Sequence, residues 1–170
     1  EGSLIGSKIY KYPIEEVIKK EKKIIVFLNT DSVMIDTEIK RVEEVINFFL
    51  NKNYNVRIKN HPVNEGIVGR DLYQLFGISP IEGNVDVSSL LAIEKPEFTI
   101  SFHSTVICQS LDAGIIPICI AESEKSVGDP LGTPYPTRRR AFFWKEEFLD
   151  VEKLLEGDYY AKALNKLRSR

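Results

Sequence analysis

Lys22-Lys23 lead into an unbroken apolar run at residues 24–28, Ile-Ile-Val-Phe-Leu. A run of that length suits a strand covered on both faces, as in a parallel sheet. Asn29-Thr30-Asp31-Ser32 breaks it. Over 36–51 the period changes. Ile39, Val42, Val45, Ile46, Phe49 and Leu50 recur at helical spacing, and Lys40, Arg41, Glu43 and Glu44 take the other face. Asn53 is placed to stop that helix. Residues 54–58 read as the next strand, which runs into Lys59-Asn60-His61-Pro62. The pattern weakens over 63–83, where a short helix is expected at 71–76, ending near Gly77. Residues 84–87 read as a short strand or extended link. Ser88 and Ser89 are expected to cap a helix that Pro96 stops near Lys95. A strand at 98–102, a helix at 104–113 and a strand at 115–120 follow, with Gly114 where a helix C′ glycine belongs.

Residues 121–140 are rich in Gly, Pro, Ser and charge and read as a long loop. Loops of that length inside a compact domain are usually functional or mobile. Two helices are expected at the end, near 145–155 and 159–168. Residues 1–21 read as a leading segment with a short helix at 14–20, and 22–170 as a single domain. No internal repeat and no low-complexity tract interrupts it. Strands alternating with helices across short links imply an α/β fold: a Rossmann-like parallel sheet with helices on both faces.

Composition narrows the function classes. The chain has 170 residues, 43% hydrophobic and 28% charged, which suits one folded soluble domain with a real core. A net charge of −2 gives no basic field to attract nucleic acid. The longest apolar runs are strand-sized, so no membrane span is expected. Nothing at the start resembles a signal peptide. Glu1-Gly2-Ser3 carries no initiator Met, so a longer parent protein is expected. The two cysteines, Cys108 in a helix and Cys119 in a strand, make no disulfide framework and read as small buried hydrophobes. A reducing cytoplasm is the natural compartment, with any inner-membrane attachment carried by regions outside this chain.

In a parallel α/β sheet, ligands bind outside the carboxyl ends of the strands. Three strand ends carry polar groups: Asn29, Thr30, Asp31 and Ser32; then Lys59, Asn60, His61 and Pro62; then His103, Ser104 and Thr105. Both histidines of the chain fall on that edge. Pro62 biases His61 toward an extended backbone and stiffens the turn. An imidazole there can donate to a phosphate or pass it a proton. Ser104 and Thr105 admit two readings. Helix capping accounts for Ser104. It accounts poorly for Thr105, whose branched side chain is not otherwise favoured there, so a phosphate site stays open beside it.

Other chemistries lack their residues. No glycine-rich dinucleotide fingerprint, Walker loop or Gly-x-Ser-x-Gly elbow is present. Two separated histidines without a Cys or carboxylate cluster give no metal site, and no cofactor is expected. Arg138-Arg139-Arg140 could hold a pyrophosphate or a partner's carboxylates, or stand as solvated surface.

The segments "VRIKNHP", residues 56–62, and "FHSTVICQSLDAGIIPICI", residues 102–120, resemble the His-Pro and Ser/Thr motifs of GT-B-fold glycosyltransferases. The likeness is to their C-terminal, donor-binding half, in the bacterial sialyltransferase and polysialyltransferase group and more distantly the capsule polysaccharide and teichoic-acid enzymes. It covers residues 22–121 and is carried by the pair of motifs. It implies half of a GT-B fold, a nucleotide-sugar donor of the CMP-sialic-acid type, and metal-independent transfer in capsule or lipooligosaccharide synthesis. It implies His61 as the catalytic residue touching the donor phosphate, with Ser104 and Thr105 on that phosphate and Pro62 shaping the base pocket. Asn29, Thr30 and Ser32 join them as donor-binding candidates from the same edge. Gln109 stands where many relatives have an acidic residue, which leaves Glu122 or Glu124 for the ribose. The family's base lies in an N-terminal half with an acidic motif that this sequence lacks. The implied partners are a glycan acceptor and a missing N-terminal domain.

Two other classes remain. A non-enzymatic Rossmann-like interaction module would expose an apolar patch, for instance around Phe142-Phe143-Trp144. A GT-B-like nucleotide-sugar epimerase would need further acid/base groups in the cleft.

Overall fold

A computed structural model of the chain describes residues 21–63, 66–102, 104–120, 141–144, 148–155 and 159–169. Residues 1–20 of the leading segment, His103, residues 121–140 with Glu122, Glu124 and Arg138 to Arg140, and the start of the helix expected at 145 lie outside the described residues, while Glu21 opens β1. The elements in chain order are β1 (Glu21–Phe27), α1 (Asp36–Asn51), β2 (Asn55–Lys59), α2 (Ile67–Phe76), α3 (Val87–Glu94), β3 (Pro96–Ser101), α4 (Val106–Asp112), β4 (Ile116–Cys119), β5 (Phe142–Phe143), α5 (Phe148–Leu154) and α6 (Tyr159–Arg168).

The strands form one five-stranded sheet in the order β2-β1-β3-β4-β5. Every pairing is parallel. The chain steps outward from β1 to β2, then returns across β1 to place β3 on its other side. The direction of winding therefore reverses between β1 and β3, the switch point at which parallel sheets open a crevice.

Helices cover both faces. Ile24, Val26, Val56, Ile58, Phe98 and Ile100 pack with Val42, Val45, Ile46 and Phe49 of α1, Leu72 of α2, Val151 of α5 and Leu164 of α6. On the other face Ile25 and Phe27 meet Leu90 and Leu91 of α3 and Val106 of α4. Burying these side chains supplies the main driving force for the fold, at about 25 cal/mol per Å² of apolar surface.

Among the described residues the expected elements are present, with the following corrections. Residues 84–87 form no strand; they hold a turn and the start of α3. That helix is capped by Asp86, whose side chain accepts from Ser89 N at 2.8 Å, and not by Ser88 or Ser89. The helix expected at 104 begins at Val106, with Thr105 in the backbone cap position. Ala141, Phe142, Phe143 and Trp144 are buried, so the apolar patch an interaction module would expose there is core. Phe142 and Phe143 add a fifth strand beside β4. Cys119 is buried and Cys108 half-buried. Asn53 and Gly114 have φ of 62° and 73°, the left-handed geometry expected after helix ends. No helix among the described residues is long and apolar enough to cross a membrane.

Candidate functional site

A cavity of about 330 Å³ opens at the switch point, at the carboxyl ends of β1, β2 and β3. Asn29 lines it after β1; Lys59, Asn60, His61 and Pro62 line it after β2; Ser101, Phe102, Ser104 and Thr105 line it after β3. Val87 of α3 and Val106 and Gln109 of α4 complete the wall. Gln109 Nε2 donates to Ser88 Oγ at 3.4 Å, which ties the two helices together over the cleft.

The structure therefore brings His61, Pro62, Ser104, Thr105 and Asn29 to one cavity. Thr30 and Ser32 do not line it. Thr30 sits in the following turn, where its carbonyl accepts from Val33 N and Met34 N, and Ser32 is exposed there. Their neighbour Asp31 does separate work. Its carboxylate accepts from Ile67 N at 2.9 Å and Val68 N at 3.2 Å. The cap residue of α2 is Gly66, which has no side chain to offer, so Asp31 caps that helix from 36 residues away.

His61 is half-buried, and its Nδ1 accepts from Val63 N at 3.1 Å. That bond assigns the imidazole proton to Nε2, which becomes a donor. Burial and then the nearby Lys59 charge hold its pKa below the ordinary histidine value. At neutral pH the unliganded ring is a neutral N–H donor.

The two hydroxyls at α4 divide their roles. Ser104 Oγ accepts from Val106 N at 3.1 Å, whereas Thr105 makes no capping bond. Capping uses a lone pair of Ser104 and leaves its O–H proton to donate elsewhere. Capping and anion binding are thus compatible at Ser104, and capping makes no use of the Thr105 hydroxyl. The helix itself is seven residues long, so these hydroxyls matter more here than its dipole.

Three residues assigned no binding role from the sequence belong to this geometry. Lys59 and Ser101 are buried polar side chains in the cavity floor. Gly83 packs against the main chain of His61. A Cβ there would stand 2.4 Å from the His61 carbonyl oxygen and 2.8 Å from its carbon. Backbone cannot yield that distance, so a glycine is required. For Lys59 and Ser101 the sequence signal was a polar residue at the final position of a strand. No group of three or more His, Cys, Asp or Glu among the described residues is placed to hold a metal ion.

The fold and cleft define an α/β, Rossmann-like domain with a cavity at its switch point. No protein-family model matches the sequence, and no curated protein matches it. Among solved structures, the chain is similar to the Thermosulfurimonas dismutans KpsC, a beta Kdo 2,4 transferase, with 20% identity and a TM-score of 0.45. The match covers 73% of this chain and 41% of that one, so the chain spans less than half of that structure's length.

Proposed function

We propose that this domain binds the nucleotide of a sugar donor and forms the donor half of a bacterial surface-polysaccharide glycosyltransferase. The convergence of His61, Ser104 and Thr105 on one cavity at the switch point carries this reading. The resemblance of the His-Pro and Ser/Thr segments supplies the donor class, a CMP-activated acidic sugar. His61 Nε2–H and the Ser104 and Thr105 hydroxyls donate to the phosphate. As the glycosidic C–O bond breaks, negative charge grows on that phosphate, and preoriented donors stabilise it. A base from a separate N-terminal half deprotonates the acceptor hydroxyl, which attacks the sugar carbon. The transfer needs no metal in this scheme. The isolated domain therefore binds donor nucleotide and lacks transferase activity.

Calorimetric titration with CMP, CDP and UDP tests the reading. CMP is expected to bind with one site per chain. Absence of binding by all three, with circular dichroism showing an intact fold, rejects it. An epimerase would require further acid/base groups in the cleft, and the described lining supplies none beyond His61 and Lys59.

A further inference from the structure

The floor of the cleft holds a charge that the contacts proposed so far do not use. Lys59 ends β2 in register with Phe27 of β1, which places both side chains on the face covered by α3 and α4. Lys59 is 2% exposed and lines the cavity. Its ammonium donates to two main-chain carbonyls, Gly83 O at 2.9 Å and Asn60 O at 3.2 Å. An ammonium has three N–H groups, so one is left over. Among the described residues no carboxylate forms an ion pair with it; those pairs gather around Lys23, Arg57 and Glu94. Asp86 acts on Lys59 through space.

Ser101 ends β3 on the same face, one strand beyond Phe27. It is 1% exposed, lines the cavity, and its Oγ has no hydrogen-bond partner among the described residues. A buried ammonium without an ion-pair contact and a buried hydroxyl without a partner are each unfavourable. A bound anion removes both costs at once.

We propose that Lys59 and Ser101 form an anion subsite in the cleft floor, taking the phosphate of a nucleotide from beneath while His61, Ser104 and Thr105 hold it from the rim. The subsite rests on the nucleotide-binding reading above. It assigns the positive charge of the site to Lys59 and leaves His61 as a neutral donor.

Titrating the wild type, Lys59→Met and Ser101→Ala with CMP, cytidine and inorganic phosphate tests this. The expected result is that wild type prefers CMP to cytidine, and that Lys59→Met loses about tenfold or more of CMP affinity while cytidine binding changes little. Ser101→Ala loses roughly threefold on the same comparison, the smaller effect of a neutral donor. Inorganic phosphate bound by wild type and lost in Lys59→Met assigns the effect to the phosphate and not to the nucleoside. Should Lys59→Met fail to fold, the Lys59 Nζ resonance of wild type provides the readout: it moves with CMP and not with cytidine. Unchanged CMP affinity in a folded Lys59→Met, or an Nζ resonance indifferent to CMP that does bind, overturns the subsite and leaves the donor reading standing. A folded wild type that binds none of the three ligands, nor CDP or UDP, overturns both.

Discussion

His61 combines a backbone contact, a neighbouring charge and partial burial, and each has a measurable consequence. Its Nδ1 accepts from Val63 N, so protonating that nitrogen breaks the bond. Burial and then Lys59 depress its pKa below 6.5 in the folded chain. A depressed pKa means that the unfolded chain takes up a proton first as pH falls. The contribution of His61 to stability is therefore complete above about pH 6.5 and is lost as pH falls through the folded value. Urea midpoints measured from pH 8 to pH 5 should fall more steeply below 6.5 for wild type than for His61→Gln. Parallel curves would contradict the assignment. In binding, His61→Ala should weaken CMP by about 1–3 kcal/mol through loss of a hydrogen bond to a charged group. Gly83 links these effects, because its carbonyl holds the Lys59 ammonium and its bare Cα lets the His61 main chain approach.

The element that presents Ser104 and Thr105 is fastened toward its carboxyl end by two tethers. Ser110 Oγ donates to Val106 O at 2.7 Å inside α4 and lies 2.6 Å from Thr99 Oγ1 of β3. Ser110 has one proton, already given to Val106, so Thr99 donates across to Ser110. Both are buried. One residue further on, Arg168 of α6 donates to Leu111 O at 2.7 and 3.1 Å, a cation on a carbonyl of the last turn of α4. Ser110→Ala strands the Thr99 hydroxyl in the core and should cost about 1–3 kcal/mol, read as a lower urea midpoint with unchanged slope. Its CMP affinity should fall as well, since α4 loses its tether to β3. An unchanged midpoint would show that the pair carries no stability. Elements of this kind were legible in the sequence to different degrees. β1 and β4 are buried on both faces, so their continuous apolar runs announce them. β5 is two residues long, and its partner β4 lies more than twenty residues earlier, so no local period marks it. Asp86 was overlooked as a cap because Val85 and Val87 flank it with strand-like character. Lys59 was legible as a polar group at the end of a strand, but its burial was not. Its burial comes from the 81–83 segment, where Ile81 bridges to Lys59 and Gly83 covers its ammonium, a contact that no sequence period reports.

At the scale of the molecule, the cavity is shared by three strands and two helices that are remote in sequence. Residues 27 to 29, 59 to 62, 87, 101 to 102, 104 to 106 and 109 reach it from separate segments. The site thus exists only when the sheet is assembled, and the unfolded chain offers a nucleotide nothing comparable. A ligand that binds only the folded state stabilises it by RT ln(1 + [L]/Kd), about 2.7 kcal/mol at a hundred times Kd. For a chain of 170 residues each kcal/mol moves the midpoint by roughly 2–4 °C. CMP at that excess should therefore raise the melting temperature by roughly 5–10 °C in one cooperative transition. The same concentration should shift His61→Ala less, because its excess over Kd is smaller. A nucleotide that binds by calorimetry yet leaves the transition unmoved would be held by a part of the chain that does not require the assembled sheet, and the switch-point cleft would then not be its site.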